Sequence, residues 1–341
     1  MSHQRAVLAE MTVVSELASP ASGVHEFTAE LVVQSRQSAA DGVVTLDLVD
    51  PSGKALPAWE PGAHVDLLLD DGLIRQYSLC GDPRDIGTWR IGVLLDPDTR
   101  GGSRQVHERL HEGVVVRVRG PRNNFPLLDS SKYLFIAGGI GITPMKAMAD
   151  SADRAGLDWS MIYLGRQRST MAFQQELAAT YGDRVTIWSD EEQGAFFDLS
   201  AALAEPAADT LIYSCGPEPL LNAVENACAH WSKGSLHVER FAAKAPSEQA
   251  AALDSYEVVC QRSGVTVEVA DGMPMLDALE DAGVEIMSSC GEGVCGTCRT
   301  TVLEGSPDHR DSLLTEDERA CGNVVLPCVS QSRSRTLVLD L

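Results

Sequence analysis

The 341-residue chain carries 27 Lys+Arg against 49 Asp+Glu, a net charge of −22. So acidic a balance excludes nucleic-acid binding, which needs a basic footprint, and no apolar run reaches the length of a membrane span. The size, with 44% hydrophobic residues, points to two or three domains rather than one core.

Residues 1–28 read as an N-terminal extension without the basic and apolar regions of a secretory signal. Residues 29–125 read as all-β. Short alternating segments recur at Glu30–Arg36, Val43–Val49, His64–Leu69, Ile74–Cys80, Trp89–Leu95 and Val114–Arg119. Turn signals such as Asp41-Gly42, Pro61-Gly62 and Asp71-Gly72 separate them, so a small six-stranded antiparallel β-barrel is expected. One helix, Ser103–His111, interrupts the series. It opens at Gly101-Gly102-Ser103, whose backbone amides and hydroxyl make an anion site. The segment Pro121-Arg122-Asn123-Asn124-Phe125 at the barrel exit reads either as a domain-junction element or as a plain turn.

Residues 126–241 change character. Strands at Tyr133–Ala137, Trp159–Leu164, Val185–Trp188 and Thr210–Ser214 alternate with helical stretches, the pattern of a parallel α/β sheet. The first strand runs into Gly138-Gly139-Ile140-Gly141-Ile142-Thr143-Pro144. Glycines there permit close backbone approach, Thr143 is placed to cap the next helix, and Pro144 suits its first turn. Such a helix N-terminus is a pyrophosphate site. Gly165-Arg166 and Cys215-Gly216-Pro217 end two further strands and are expected to converge on the same sheet edge. Residues 242–254, rich in Ala with Pro246 and Ser247, read as a linker.

Residues 255–341 contain a hairpin (Tyr256–Gln261, Val265–Val269), a helix from about Pro274 to Asp281, and closing strands. Between them Cys290, Cys295, Cys298 and the distant Cys328 are spaced C-x4-C-x2-C-x29-C, the spacing of a plant-type [2Fe–2S] site. Gly291, Gly293 and Gly296 allow the tight turns that wrap three thiolates round one side of a cluster. Zinc is the competing reading, but its knuckles pair C-x2-C units, and one such pair is present. The remaining five cysteines, Cys80, Cys215, Cys228, Cys260 and Cys321, are an odd number. Without an export signal they indicate a reducing, cytoplasmic setting.

GGIGITP followed by CGP resembles the ferredoxin–NADP reductase superfamily, and Arg75-Gln76-Tyr77-Ser78-Leu79 is similar to its R-x-Y-S flavin motif. The order flavin barrel (29–125), nucleotide domain (126–241), linker (242–254), ferredoxin (255–341) resembles the phthalate dioxygenase reductase family, which includes vanillate demethylase reductases. That resemblance implies FMN, NADH, a [2Fe–2S] cluster and a β-grasp ferredoxin domain. It implies that Arg75 pairs with flavin phosphate, that Tyr77 packs on the ring system or ribityl chain, and that Ser78 bonds near N5. Cys215 would contact the nicotinamide side. Glu239 and Phe241, in a tail that resembles the family's, would lie at the flavin, with Phe241 covering its face and moving aside for nicotinamide. Taken alone, Tyr77, Leu79 and Phe241 would be core residues and Cys215 a small buried hydrophobe. Arg75 and the Gly101–Ser103 turn together suffice for a terminal monophosphate, which favours FMN over FAD. Arg166 and Arg168 leave NADPH open.

A nicotinamide gives two electrons as hydride and a [2Fe–2S] cluster takes one at a time, a mismatch that flavin bridges. The expected function is therefore a monomeric NADH-dependent reductase feeding a partner oxygenase, a Rieske non-haem iron enzyme ahead of a cytochrome P450. The chain shows no paired Cys-x-His pattern and no facial triad of its own. A redox sensor without turnover is the alternative from another class. Residues 255–341 hold 6 basic against 15 acidic residues, a charge suited to a partner with a basic docking patch.

Overall fold

A computed structural model describes residues 27–96, 101–243 and 255–341. Most of the expected N-terminal extension (1–26) and of the linker (244–254) lies outside the described residues.

The first group of elements is β1 (Thr28–Ala40), β2 (Val43–Val49), β3 (Ala63–Leu68), β4 (Ile74–Ser78), β5 (Trp89–Leu94), α1 (Gly102–Arg109) and β6 (Val115–Asn123). The strands form one antiparallel sheet in the order β4-β3-β6-β1-β2-β5. Its two edges meet: Leu79 bridges Ile91, and the Cys80 amide donates to the Arg90 carbonyl at 2.9 Å. The sheet thereby closes into a barrel and removes its open edges. Inward residues such as Leu46, Val65, Leu67, Val93 and Val118 fill it, and Trp89 plugs it with its indole N–H on the Pro57 carbonyl.

The second group is β7 (Lys132–Gly138), α2 (Ile142–Arg154), β8 (Asp158–Gly165), α3 (Gln174–Tyr181), β9 (Val185–Ser189), α4 (Asp190–Gln193), α5 (Leu199–Ala202), β10 (Thr210–Cys215), α6 (Glu218–Ala227) and β11 (Leu236–Glu239). Its sheet runs β11-β10-β7-β8-β9 with every pair parallel. Each face carries its own apolar layer, one around Phe135, Trp159 and Tyr213, the other around Ile136, Leu203 and Ile212. This double burial accounts for the continuous apolar runs of β7 and β10.

The third group is β12 (Ser255–Cys260), β13 (Val265–Ala270), α7 (Met275–Asp281), β14 (Thr300–Glu304), β15 (Pro307–Asp308), α8 (Glu316–Cys321), β16 (Val324–Val325), β17 (Gln331–Ser332) and β18 (Thr336–Leu339). A mixed sheet, β13-β12-β18-β14-β16, packs Val258, Val269 and Leu337 against Met275 and Leu279 of α7.

The groups also touch. A Cβ at Gly62 of the barrel would come within 3.0 Å of Met148 on α2, and one at Gly92 within 2.9 Å of Thr143. This contact corrects one expectation. Thr143 does not cap α2; Gly141 stands at the N-cap without a side-chain bond, and the Thr143 hydroxyl donates to the Ile140 carbonyl at 2.9 Å. Thr143 is a barrel-facing packing residue. No described helix is long and apolar enough to cross a membrane.

Candidate functional site

A cavity of about 380 Å³ opens where the three groups meet. The barrel contributes His64 and Ile74–Ser78, β11 and its continuation contribute Val238–Ala242, and the cysteine loop contributes Cys290, Glu292 and Val294. Segments far apart in sequence thus share one wall.

Arg75 and the Gly101-Gly102 turn come together as the sequence suggests. A Cβ at Gly102 would lie 2.5 Å from Arg75 Cγ, so only glycine lets this arginine pack onto the start of α1. Gly101 takes a left-handed conformation (φ 92) that glycine adopts without strain. The Ser103 hydroxyl and Asp96 exchange bonds at 3.2 and 3.4 Å, which ties the turn to β5. Tyr77 and Ser78 line the cavity, and burial pushes the Tyr77 phenol up. Gln76 donates to Asp66 at 3.1 Å. Leu79 does not line the cavity; it is fully buried in the barrel core, where the backbone bridges to Ile91 and closes the sheet. A guanidinium fork beside the first turn of α1, above aromatic and hydroxyl groups, fits a flavin with a terminal phosphate.

At the edge of the parallel sheet the two glycine loops pack backbone to backbone. A Cβ at Gly141 would lie 2.2 Å from the Cys215 carbonyl oxygen, and one at Gly216 3.0 Å from the Gly138 backbone. Gly138 also leaves room for Leu220 and Pro217, and Gly139 turns with φ 52. Pro144 sits in the first turn of α2, where a missing N–H costs nothing. Gly165 has another role, making space for Met171. Arg166 is exposed, and its carbonyl accepts from Glu191 N at 3.0 Å. Arg168 pairs with Glu192 at 2.7 Å and bonds Gln174, so its charge is already matched.

Cys215 is fully buried behind Glu239, its register partner, with sulfur 3.9 Å from Glu239 Oε2. Burial raises the thiol well above its usual range, which suits the small-hydrophobe reading better than a redox or contact role. Glu239 instead reaches the cavity, where burial pushes its carboxyl up to about 8. Phe241 lines the same wall and is 42% exposed. Arg240, on the same wall, pairs with Glu218 and Glu225 at 3.1 and 2.7 Å.

The four cysteine sulfurs converge. Cys298 and Cys328 lie 3.3 Å apart, while the amides of Glu292 and Thr297 donate to Cys290 and Cys295 at 3.2 and 3.4 Å. Contact with Cys295 and Cys328 holds Cys290 low, and contact with Cys290 pushes Cys295 up. Such a group cannot become four thiolates without added positive charge, and iron supplies it. Gly291, Gly293 and Gly296 all have φ between 67 and 69. The donor set fits a [2Fe–2S] cluster, and Cys290 places its ligand at the cavity wall.

Two further residues join the site, and of these His64 carries no sequence signal of its own. His64 pairs in register with Ser78, lines the cavity and has a buried Nε2 without a partner; burial pushes its imidazole down to about 4. Asn124, in the segment read as a junction or a turn, donates to the Cys295 carbonyl at 2.6 Å.

Comparison with known proteins follows this division. Residues 135–226 match the oxidoreductase NAD-binding domain family, and residues 258–333 the 2Fe-2S iron-sulfur cluster binding domain family. The chain is 42% identical over 303 residues to the phenoxybenzoate dioxygenase subunit beta of Ectopseudomonas oleovorans, covering 89% of this chain and 94% of the relative. Among solved structures, an intact type IV self-sufficient cytochrome P450 monooxygenase superposes with TM-score 0.86 and 43% identity; 92% of this chain is covered, but 41% of that one. Phthalate dioxygenase reductase, described as a modular structure for electron transfer from pyridine nucleotides to [2Fe-2S], superposes with TM-score 0.68 and 34% identity, covering 92% and 98%.

Proposed function

The chain belongs to the phthalate dioxygenase reductase family, and on that premise we propose that it draws electrons from NADH through FMN and passes them singly from its [2Fe–2S] cluster to a separate oxygenase of the Rieske non-haem iron type. The observation that carries this reading is the shared cavity, whose wall holds the Arg75–Ser78 motif, the Val238–Ala242 tail and the cluster ligand Cys290 together. Bound flavin supplies the exchange between a hydride pair and single electrons. The protein's part is placement. Arg75 and the α1 amides hold the phosphate, Tyr77 and Phe241 bound the ring space, and Ser78 and Glu239 offer hydrogen-bonding groups inside it.

NADH is favoured over NADPH because Arg168, one of the two arginines that leave a 2′-phosphate open, is paired with Glu192, with Glu191 adjacent. A dioxygenase partner is favoured because the phenoxybenzoate relative is named as a dioxygenase subunit and matches along 94% of its length. The 43% identity to a self-sufficient P450 supports a P450 partner as the second reading. Mixing NADH-reduced protein with each class of purified oxygenase tests the choice. Faster reoxidation by a Rieske oxygenase is expected, and faster reoxidation by a P450 would reverse the assignment. Finding FAD by mass in the released flavin would overturn the FMN assignment.

A further inference from the structure

We infer that Arg119 and Asn124 are positioning residues that clamp the cluster-ligand loop to the wall of the flavin cavity. The inference deepens the reductase reading and rests on it. Both residues lie on one short stretch, from the middle of β6 to the residue after it, which runs past the cysteine loop. Asn124 Nδ2 donates to the Cys295 carbonyl at 2.6 Å, and Arg119 Nη2 donates to the Ser288 carbonyl at 3.1 Å. The two bonds grip either end of the turn that carries Cys290 and Cys295. Fit is close at one of them, since a Cβ at Gly296 would come 3.1 Å from Asn124 Nδ2 and 2.8 Å from Leu313.

The clamp is itself held from inside the barrel. Asp66 has no exposed side-chain surface; it accepts from Arg119 at 2.7 and 2.9 Å and from Arg122 at 2.5 Å. It also accepts from Gln76 of the flavin motif at 3.1 Å. A buried carboxylate paired on several sides fixes its partners' orientation, because each would otherwise leave an uncompensated charge. One connected network therefore runs from the flavin motif through Asp66 and Arg119 to the cysteine loop. Its geometry ties the cysteine loop to the flavin motif through a continuous run of side-chain bonds.

The test uses the full holoprotein with two substitutions. Asn124→Asp keeps the side-chain volume and removes the donor. Arg119→Lys, away from the cavity, keeps a charge for Asp66 but lacks the fork that also reaches Ser288. In each variant, amide exchange across residues 288–298 is expected to accelerate by about tenfold, and the ratio of cytochrome c to ferricyanide reduction with NADH to fall by about tenfold. The EPR spectrum of the dithionite-reduced cluster is expected to broaden as the loop loses its single position. Wild-type exchange, ratio and spectrum in both variants would overturn the clamp. If Asn124→Asp loses flavin, Arg119→Lys alone decides. Failure of the wild-type protein to reduce ferricyanide with NADH would instead refute the reductase reading, while the exchange data would still judge the clamp.

Discussion

Glu239 is a carboxyl whose charge depends on what fills the cavity beside it. Burial already pushes it up to about 8 from 4.5, and a ring system that displaces water would strengthen that effect. The sign follows from linkage: the folded state holds this proton more tightly than the unfolded state. Its contribution to stability is full below about 4.5 and is lost as pH rises through about 8. NADH-driven flavin reduction is expected to show an inflection near 8, and Glu239→Gln to flatten it; an inflection retained in the variant would exclude this carboxyl. Cys298→Ser is expected to abolish transfer to cytochrome c and to spare ferricyanide reduction, because it removes one cluster ligand but no cavity residue. The cluster ligands were legible because spacing alone constrains four thiolates. Leu79 and Thr143 were not. Their neighbours in sequence line the sites, but barrel closure and the α2–barrel contact, both long-range, turn these two side chains elsewhere.

Elements read well from sequence wherever a turn signal bounded a run of one period. Asp41-Gly42 splits β1 from β2 at the expected place, and all the predicted strands of the parallel sheet fall within a residue of their observed ends. β6 extends to Asn123, beyond its expected end, because β3 supplies ladder partners there, His64 for Arg122 and Ala63 for Asn123. Cross-strand pairing of that kind is invisible in one sequence. α8 is not among the expected elements, although its Thr315-x-x-Glu318 capping box is a sequence signature of a helix start. The glycine loops are the element most exposed to test. Gly141→Ala would drive a methyl into the Cys215 carbonyl at 2.2 Å, and overpacking of this kind costs about 1–3 kcal/mol. Lower thermal stability together with a raised KM for NADH is expected. An unchanged KM would show that the loop's spacing is not what receives the nucleotide.

Across the whole molecule the charge is unevenly presented. Asp277, Glu280, Asp281, Glu285, Glu316 and Asp317 are exposed in the cluster-bearing part, where no lysine occurs. Attraction between such a surface and a basic partner is screened within about 10 Å at 0.1 M salt. Electron delivery to the oxygenase is therefore expected to slow as salt rises, through the association rate, while ferricyanide reduction changes less; salt-independent delivery would argue for an apolar docking site. The three-part layout was legible because each part has its own period and motif. The cavity between them was not, since no local pattern encodes how 75–78, 238–242 and 290–294 come to face one another. That shared wall has a thermodynamic consequence. A ligand seated there binds only when all three parts are folded and assembled, so its binding energy becomes a coupling energy among them. At a free concentration of 100 times its Kd it adds about 2.7 kcal/mol to the assembled state. Flavin then acts as a keystone: stripped protein should melt in separate steps, and reloading should merge them into one.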